Sequence, residues 1–406
     1  MPPSRSSSLL RTTLAVAATA LLSPAFAAPP PNGPQTEPRS TEPAAGEAPA
    51  GETRRSQGLP PAPPPSGIRP SSRQRAPEPP PTAAELRAAP PPRRATGEAF
   101  GLALTLEVRD VAQTEADAAL RAAVTEVREI ERLVDLDGDR QGDGVAALNA
   151  AAGGEPLAID PRLAALLVRT LDFCRWSGQA HGPLGGRLNA LWGVRGARPA
   201  GRPAGSGHQQ AVRSAGCGLL QADAETATAR VAADSRLDLW GFALGFAVDH
   251  AIEVLVEHGV ANAYAELGQV RRAVGPGPGD DGRGWPALLP VFPGLDGPLD
   301  RVFLLDESLA VVSAVHRPLV VAGDRYAPFV DQRTGQPPAG VVGVVAASEL
   351  AVDAEALAAT MLMLGNREGV LRAGGLEPHP ALLWLLGSGE GAPVVSQYNW
   401  TRVSLR

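Results

Sequence analysis

The alternation of apolar and polar residues along the chain predicts short strands mixed with several helices. Apolar side chains at every second position (Leu102, Leu104 and Leu106) predict a strand over residues 102–108. Apolar positions three and four residues apart predict a helix over residues 117–133. The other predicted elements are helices over 161–177, 241–257 and 352–364, and strands over 228–232, 287–292, 301–305, 309–313 and 341–347.

The order of these elements favours an α+β fold, because strands and helices follow one another without a regular strand–helix–strand period. Two stretches rich in Gly, Pro, Arg and Asp interrupt the pattern. We interpret residues 195–216 as a disordered loop and residues 273–284 as a second loop. Residues 96–406 contain no apolar run of 18 residues, so no transmembrane segment is expected in this part of the chain.

The N-terminal residues have the pattern of a cleavable secretory signal peptide. Arg5 and Arg11 precede an apolar stretch over residues 14–22, and the Ala-Phe-Ala sequence at residues 25–27 suits signal peptidase. We therefore predict a signal peptide over residues 1–27 and a periplasmic or otherwise exported mature protein.

A proline-rich segment follows the predicted signal peptide. Residues 28–95 hold 20 of the 41 prolines, and proline removes backbone donors, so we predict a disordered linker before a domain over residues 96–406. All 37 basic residues are arginine, which suits a GC-rich bacterial gene, while the net charge of −6 argues against a nucleic-acid partner. The two cysteines, Cys174 and Cys217, fit either a disulfide or two buried thiols, and neither follows the signal closely enough to carry lipid.

Three segments carry the candidate chemistry. Asp238 is followed by Gly241 and Gly245, where a strand end passes into a helix whose free N–H groups suit a phosphate. A polar turn contains Asp331 and Thr334 in the sequence Asp-Gln-Arg-Thr-Gly. The third segment is Leu148-Asn149, followed some forty residues later by Leu191-Trp192-Gly193.

In this order and spacing the segments resemble the ApbE-type FAD:protein FMN transferases. The resemblance implies an exported enzyme that moves FMN from FAD to a threonine of a partner protein and releases AMP with the help of Mg²⁺. It implies a periplasmic flavin-acceptor protein as partner. It also implies five cofactor-binding residues in this chain: Asp238, Gly241, Gly245, Asp331 and Thr334.

The same resemblance implies metal ligands at a backbone position near Gly241 and on the last helix. Alignment of the helix end places Glu355 at the family's metal-binding Asp and Ala359 at its Thr, so Glu355 and Gly241 are the predicted ligands. Asp353 and Thr360, seven residues apart on one helical face, are a fallback pair.

Several family positions hold different residues here. Leu244 replaces a lysine, and the whole chain has no lysine to supply an ammonium in its place. An aromatic-Asp-Pro-Thr sequence reads His181-Gly-Pro-Leu, and Pro328 replaces a histidine. The polar ends of an Asn-Leu-Gly-Gly-Asp turn read Glu266 and Val270. These changes leave a second hypothesis open, a catalytically degenerate periplasmic protein that binds flavin or a partner.

Overall fold

The computed structural model describes residues 91–278, 282–387 and 391–400; the predicted signal peptide and nearly all of the predicted linker lie outside them. The helices are α1 (Gln113–Val134), α2 (Val145–Ala150), α3 (Pro161–Trp176), α4 (Gly186–Trp192), α5 (Gly205–Arg213), α6 (Ala243–Glu257) and α7 (Ala351–Ala373). The strands are β1 (Arg93–Ala99), β2 (Leu102–Arg109), β3 (Leu157–Ala158), β4 (Leu220–Asp223), β5 (Thr228–Val231), β6 (Asn262–Leu267), β7 (Val270–Val274), β8 (Trp285–Leu288), β9 (Arg301–Leu304), β10 (Glu307–Ser313), β11 (Leu319–Val321), β12 (Asp324–Tyr326), β13 (Val341–Ser348), β14 (Ala381–Leu386) and β15 (Val394–Tyr398).

Eight of the described strands form one antiparallel sheet in the order β1-β2-β6-β7-β10-β13-β14-β15. Strand β13 is buried on both faces, which explains its continuous apolar sequence. Val344 and Ala346 face the helical core, whereas Val345 and Ala347 face a second apolar cluster beside β8 and β9. With helices packed on this antiparallel sheet, the predicted α+β class is confirmed.

Helices α1, α6 and α7 pack together in the larger core. Where α6 crosses the first turn of α7, a side chain at Gly245 would place its Cβ 2.3 Å from Ala351 O, so only glycine fits. Asp249 on α6 accepts hydrogen bonds from the backbone N–H groups of Ala351 (2.8 Å) and Val352 (2.9 Å). Arg272 pairs with the same carboxylate at 2.6 Å. Asp249 therefore holds the start of α7 against α6.

A three-stranded sheet, β3-β5-β4, accompanies helices α3 to α5, and the buried residues of α3, β4 and β5 belong to the larger core. Cys174 on α3 is joined by a disulfide to Cys217, with their Cα atoms 6.0 Å apart. This settles the choice between a disulfide and two thiols in favour of the disulfide. Helix α5 packs on α4, and its Ala211 lies in a small apolar cluster with Trp192 and Tyr326.

The structure corrects several predicted boundaries. Residues 195–216 are not a disordered loop throughout, because their apolar positions bury Ala211 on α5. The predicted end of the last helix at Gly365 is confirmed, because Gly365 adopts φ 70°, a non-helical conformation that glycine tolerates. A second helical segment, which was not predicted, follows this break, and α7 includes both segments as far as Ala373. Strand β1 begins at Arg93, inside the predicted linker, because it pairs with β2. Among the described residues, no helix is long and apolar enough to cross a membrane.

Candidate functional site

The candidate site lies where the chain enters α6. Asp238 is 2% exposed, and its carboxylate accepts hydrogen bonds from Asn189 Nδ2 (2.8 Å) and from the backbone N–H of Trp240 (3.1 Å). Asn189 belongs to α4, and the backbone N–H of Asp238 bonds Pro183 O at 2.9 Å. The acidic residue predicted from the sequence is therefore held between α4 and the entry to α6.

The two predicted glycines face protein atoms. Gly241 has φ 89°, and a Cβ there would lie 2.8 Å from His181 Cε1 and 3.2 Å from Ala359 Cβ. The Gly245 backbone N–H donates to Glu355 Oε2 at 2.7 Å. In the structure, the groups that lie close to these two glycines are therefore protein side chains and α7. Their role in binding a cofactor stays a prediction.

His181 fills the space beside Gly241. Its ring is 4% exposed, stacks on Phe242 with 4.3 Å between centroids, and contacts Trp240 O and Thr360 Oγ1, each at 3.2 Å. Because a carbonyl oxygen only accepts, we assign the ring proton to Nε2, so that Nδ1 accepts from the Thr360 hydroxyl. Burial lowers the pKa of His181 to about 4, which keeps the imidazole neutral.

Glu355 is buried at the N-terminus of α6. The residue is 5% exposed, and burial raises its pKa to about 8, although the backbone N–H groups of Gly245 and Leu244 and the nearby Arg195 oppose the shift. The group is therefore mainly protonated at neutral pH. The free N–H groups that suited a phosphate in the sequence are in contact with the chain's own carboxyl group.

These residues do not fit the magnesium site that the family resemblance implies. Mg²⁺ requires several oxygen ligands in octahedral geometry, but Ala359 has only a methyl group and Thr360 Oγ1 is bonded to His181. The fallback residue Asp353 forms a bidentate pair with Arg169, with Nε 2.5 Å from Oδ1. In the portion of the chain that the structure describes, no group of three or more His, Cys, Asp or Glu side chains could hold a metal.

Asp331 and Thr334 lie on a neighbouring turn. The backbone carbonyl of Asp331 accepts from Gly335 N–H at 2.7 Å, while its carboxylate pairs with Arg333 at 2.7 Å. Thr334 is exposed, and its Oγ1 accepts from Gln336 N–H at 3.2 Å. The carboxylate of Asp331 and the hydroxyl of Thr334 are therefore both engaged within the turn.

One side chain from α4 and one from α5 hold this turn in place. Trp192 Nε1 on α4 donates to Gly335 O at 2.8 Å. His208 Nε2 on α5 lies at the same distance from the same oxygen. Trp192 was part of the sequence motif, whereas His208 lies in the stretch that we predicted to be disordered.

Trp240 links the turn to the start of α6. Its indole N–H donates to Pro328 O at 3.0 Å, and its ring stacks on Phe329 with centroids 5.8 Å apart. Arg195 lies over the Trp240 ring, 4.9 Å from the centroid, and its Nη2 is 3.8 Å from Asp238 Oδ1. No sequence pattern identified Arg195 as a site residue, because it lies in the Gly-Arg-Pro-rich stretch.

One replaced family position, Glu266, lies away from this cluster. Glu266 on β6 accepts from Tyr264 Oη (2.8 Å) and pairs with Arg271 (3.0 Å). Its strand neighbours Ala265 and Leu267 are buried in the helical core. Because side chains alternate along a strand, Glu266 points to the sheet face opposite α6 and is not part of the candidate site.

Comparison with known proteins finds related sequences. The sequence profile of the ApbE family matches residues 100–379. An FAD:protein FMN transferase of Treponema pallidum is 30% identical over 267 residues, which cover 62% of this chain and 72% of the relative. One of Rhodobacter capsulatus is 27% identical over 278 residues, covering 66% of this chain and about half (51%) of the relative.

Solved structures show the same fold. The ApbE protein of Thermotoga maritima superposes with a TM-score of 0.67 at 22% identity, covering 77% of this chain and 98% of that one. The flavin transferase ApbE of Vibrio cholerae gives 0.65 at 18% identity, covering 77% and 99%. The chain thus has the α+β fold of these solved structures. The chain belongs to the ApbE family, as its sequence motifs predicted.

Proposed function

We propose that this chain binds FAD and a partner protein as a member of the ApbE family, but transfers FMN slowly or not at all. One observation carries the proposal: the positions of the family's metal ligands are engaged within the chain or lack oxygen. Glu355 bonds the backbone N–H of Gly245 at 2.7 Å, and Ala359 offers only a methyl group. Phosphoryl transfer depends on neutralising phosphate charge, so the loss of these groups removes the main source of rate enhancement.

FAD is the proposed ligand because the family relatives named above are FAD:protein FMN transferases. The cluster of Asp238, Asn189 and Trp240 preserves a fixed, buried framework at the start of α6. A framework that is kept while metal ligands are replaced is consistent with binding without turnover. By the same family relationship, the proposed partner is a flavin-acceptor protein, which would be periplasmic if the predicted signal peptide is cleaved.

The second candidate function is the full family reaction. In that reaction a bond forms between a threonine Oγ of the acceptor and the FMN phosphorus, the bond to AMP breaks, and the hydroxyl proton is released. The observation that favours it is the match to the Treponema pallidum transferase at 30% identity over 72% of that protein. Under this alternative, Glu355 must leave the α6 N–H groups and lose its proton before Mg²⁺ can bind.

One assay separates the two candidates. The full chain is incubated with FAD, Mg²⁺ and peptides containing candidate acceptor threonines, and AMP and covalently bound flavin are measured. We expect FAD binding without AMP release, and we expect Glu355→Gln to leave FAD affinity nearly unchanged. Robust flavinylation by the native chain, abolished by Glu355→Gln, would establish the transferase instead.

A gain-of-function variant provides the positive control for that assay. Leu244→Lys combined with Glu355→Asp and Ala359→Thr restores the family's charge and ligand pattern. We expect this variant to release AMP in a Mg²⁺-dependent manner. Circular dichroism must show that it is folded, because Ala359 is fully buried and adjoins His181 and Gly241.

A further inference from the structure

Arg195 is an arginine whose donors are not used by the fold. It follows α4 after Gly193, which ends that helix with φ 66°, and its side chain is 46% exposed. Within the described part of the chain it donates no hydrogen bond, since its nearest acidic oxygen, Asp238 Oδ1, is 3.8 Å away. A guanidinium has five N–H donors, so Arg195 retains the capacity to bind an anion.

Neighbouring arginines are already engaged. Arg187 pairs with Asp234 at 3.1 Å, and Arg202 pairs with Asp324 at 2.9 Å. Arg198 donates to the backbone carbonyl of Gly193. Arg195 differs from all three, because its guanidinium forms no hydrogen bond within the described residues and lies over the Trp240 ring.

Arg195 lies at the candidate site, over Trp240 and 3.8 Å from the nearest oxygen of Asp238. The Trp240 ring beneath Arg195 is fixed by its hydrogen bond to Pro328 O and by stacking on Phe329. The Asp238 carboxylate is already bonded by Asn189 and by the backbone of Trp240, so it attracts Arg195 without holding it in a hydrogen bond. The positive charge of Arg195 also favours the ionised form of Glu355 at the N-terminus of α6.

We propose that Arg195 is the phosphate-binding residue of this site and grips the pyrophosphate of a dinucleotide with its guanidinium fork. The proposal rests on the proposed function in taking FAD as that dinucleotide. A guanidinium matches two phosphate oxygens at once, which makes arginine well suited to this task. Arg195 thereby supplies a cation at a site where the sequence has Leu244 in place of the family's lysine.

The test compares Arg195→Ala with a matched control, Arg202→Ala. Arg202 lies in the same stretch, is similarly exposed (45%) and also lies over an aromatic ring, 5.3 Å from the centroid of Tyr326. Calorimetry measures the affinity of the full chain for FAD, inorganic pyrophosphate and riboflavin. Arg195→Ala should weaken the binding of FAD and of pyrophosphate about tenfold or more, because a hydrogen bond to a charged group typically contributes that much to affinity. Riboflavin affinity should not change, because riboflavin has no phosphate.

The controls keep the outcomes separate. Arg202→Ala should stay within about twofold of the native chain, and Arg195→Lys should lose about threefold, because it keeps the charge and loses the fork. FAD and pyrophosphate affinities unchanged in Arg195→Ala would overturn the assignment of Arg195 and leave the proposed function standing. If the chain bound pyrophosphate in an Arg195-dependent manner but did not bind FAD, the assignment of Arg195 would be supported and the proposed function would be refuted. If the native chain binds neither ligand, both fail.

Discussion

The substitution Gly245→Ala separates a packing role from a ligand-binding role. A Cβ at this position would lie 2.3 Å from Ala351 O and 2.5 Å from Val352 Cα, whereas ordinary contact begins at 3.4 Å. Both atoms belong to the backbone of α7, which Asp249 holds in place. The helices must therefore separate by about 1 Å. Overpacking costs up to about 3 kcal/mol, and the better helix propensity of alanine returns about 1 kcal/mol, so we expect a net loss of about 2 kcal/mol.

Urea denaturation of the ligand-free chain measures this loss. The matched control is Gly207→Ala in α5, where an added Cβ meets nothing within 4 Å; it should be neutral or stabilise by about 0.5–1 kcal/mol. If Gly245→Ala left the free energy of unfolding unchanged and weakened only FAD binding, the packing role would be refuted. The glycine would then serve the cofactor, as its sequence pattern suggested.

Three further predictions follow from buried groups. Replacing Cys174 and Cys217 together by serine should cost about 4 kcal/mol of unfolding free energy in the chain-entropy treatment of a loop spanning 43 residues, measured by urea denaturation against the native oxidised chain. The pKa of His181 falls from 6.5 to about 4 on folding, so between these values the unfolded state binds more protons than the folded state, and stability is lost as pH falls through them. In His181→Phe, the slope of the unfolding free energy against pH should be smaller in that range, by an amount that corresponds to about one proton. The pKa of Glu355 rises from 4.5 to about 8 on folding, so its contribution to stability is fully present below pH 4.5 and is lost as pH rises through 8. The variant Glu355→Gln should therefore become more stable relative to the native chain as pH rises over that range. If the unfolding free energies of the two proteins changed in parallel with pH, the raised pKa of Glu355 would be contradicted.

The sequence predicted the elements whose burial follows a simple period. Strand β2 has alternating apolar positions because one face packs on the helical core, and α6 shows its start and end through glycines. Strand β14 was missed, because the continuous apolar run Ala381–Leu386 has no period that separates a strand from a buried helix. Helix α5 was missed because Gly and Arg dominate its surroundings, and only Ala211 is buried on it.

The candidate site was only partly predictable for a different reason. The motif residues Asp238, Gly241 and Gly245 are adjacent in sequence, and the structure places them together. The contact between His181 and Thr360 joins residues 179 positions apart, so no local pattern reveals it. Arg195 reaches Trp240 by a turn in a stretch without apolar periodicity. Sequence comparison could show which family residues were replaced, but not which side chains occupy the vacated space.

The most direct test of the central claim is a measurement of FAD affinity in saturating Mg²⁺ and in EDTA. The claim is that this ApbE-family chain has lost the metal site and kept a nucleotide site. It predicts measurable FAD binding, with dissociation constants that agree within about twofold in the two conditions, because Glu355 and Thr360 are already bonded within the chain. A tenfold or greater tightening by Mg²⁺, corresponding to about 1.4 kcal/mol, would contradict it.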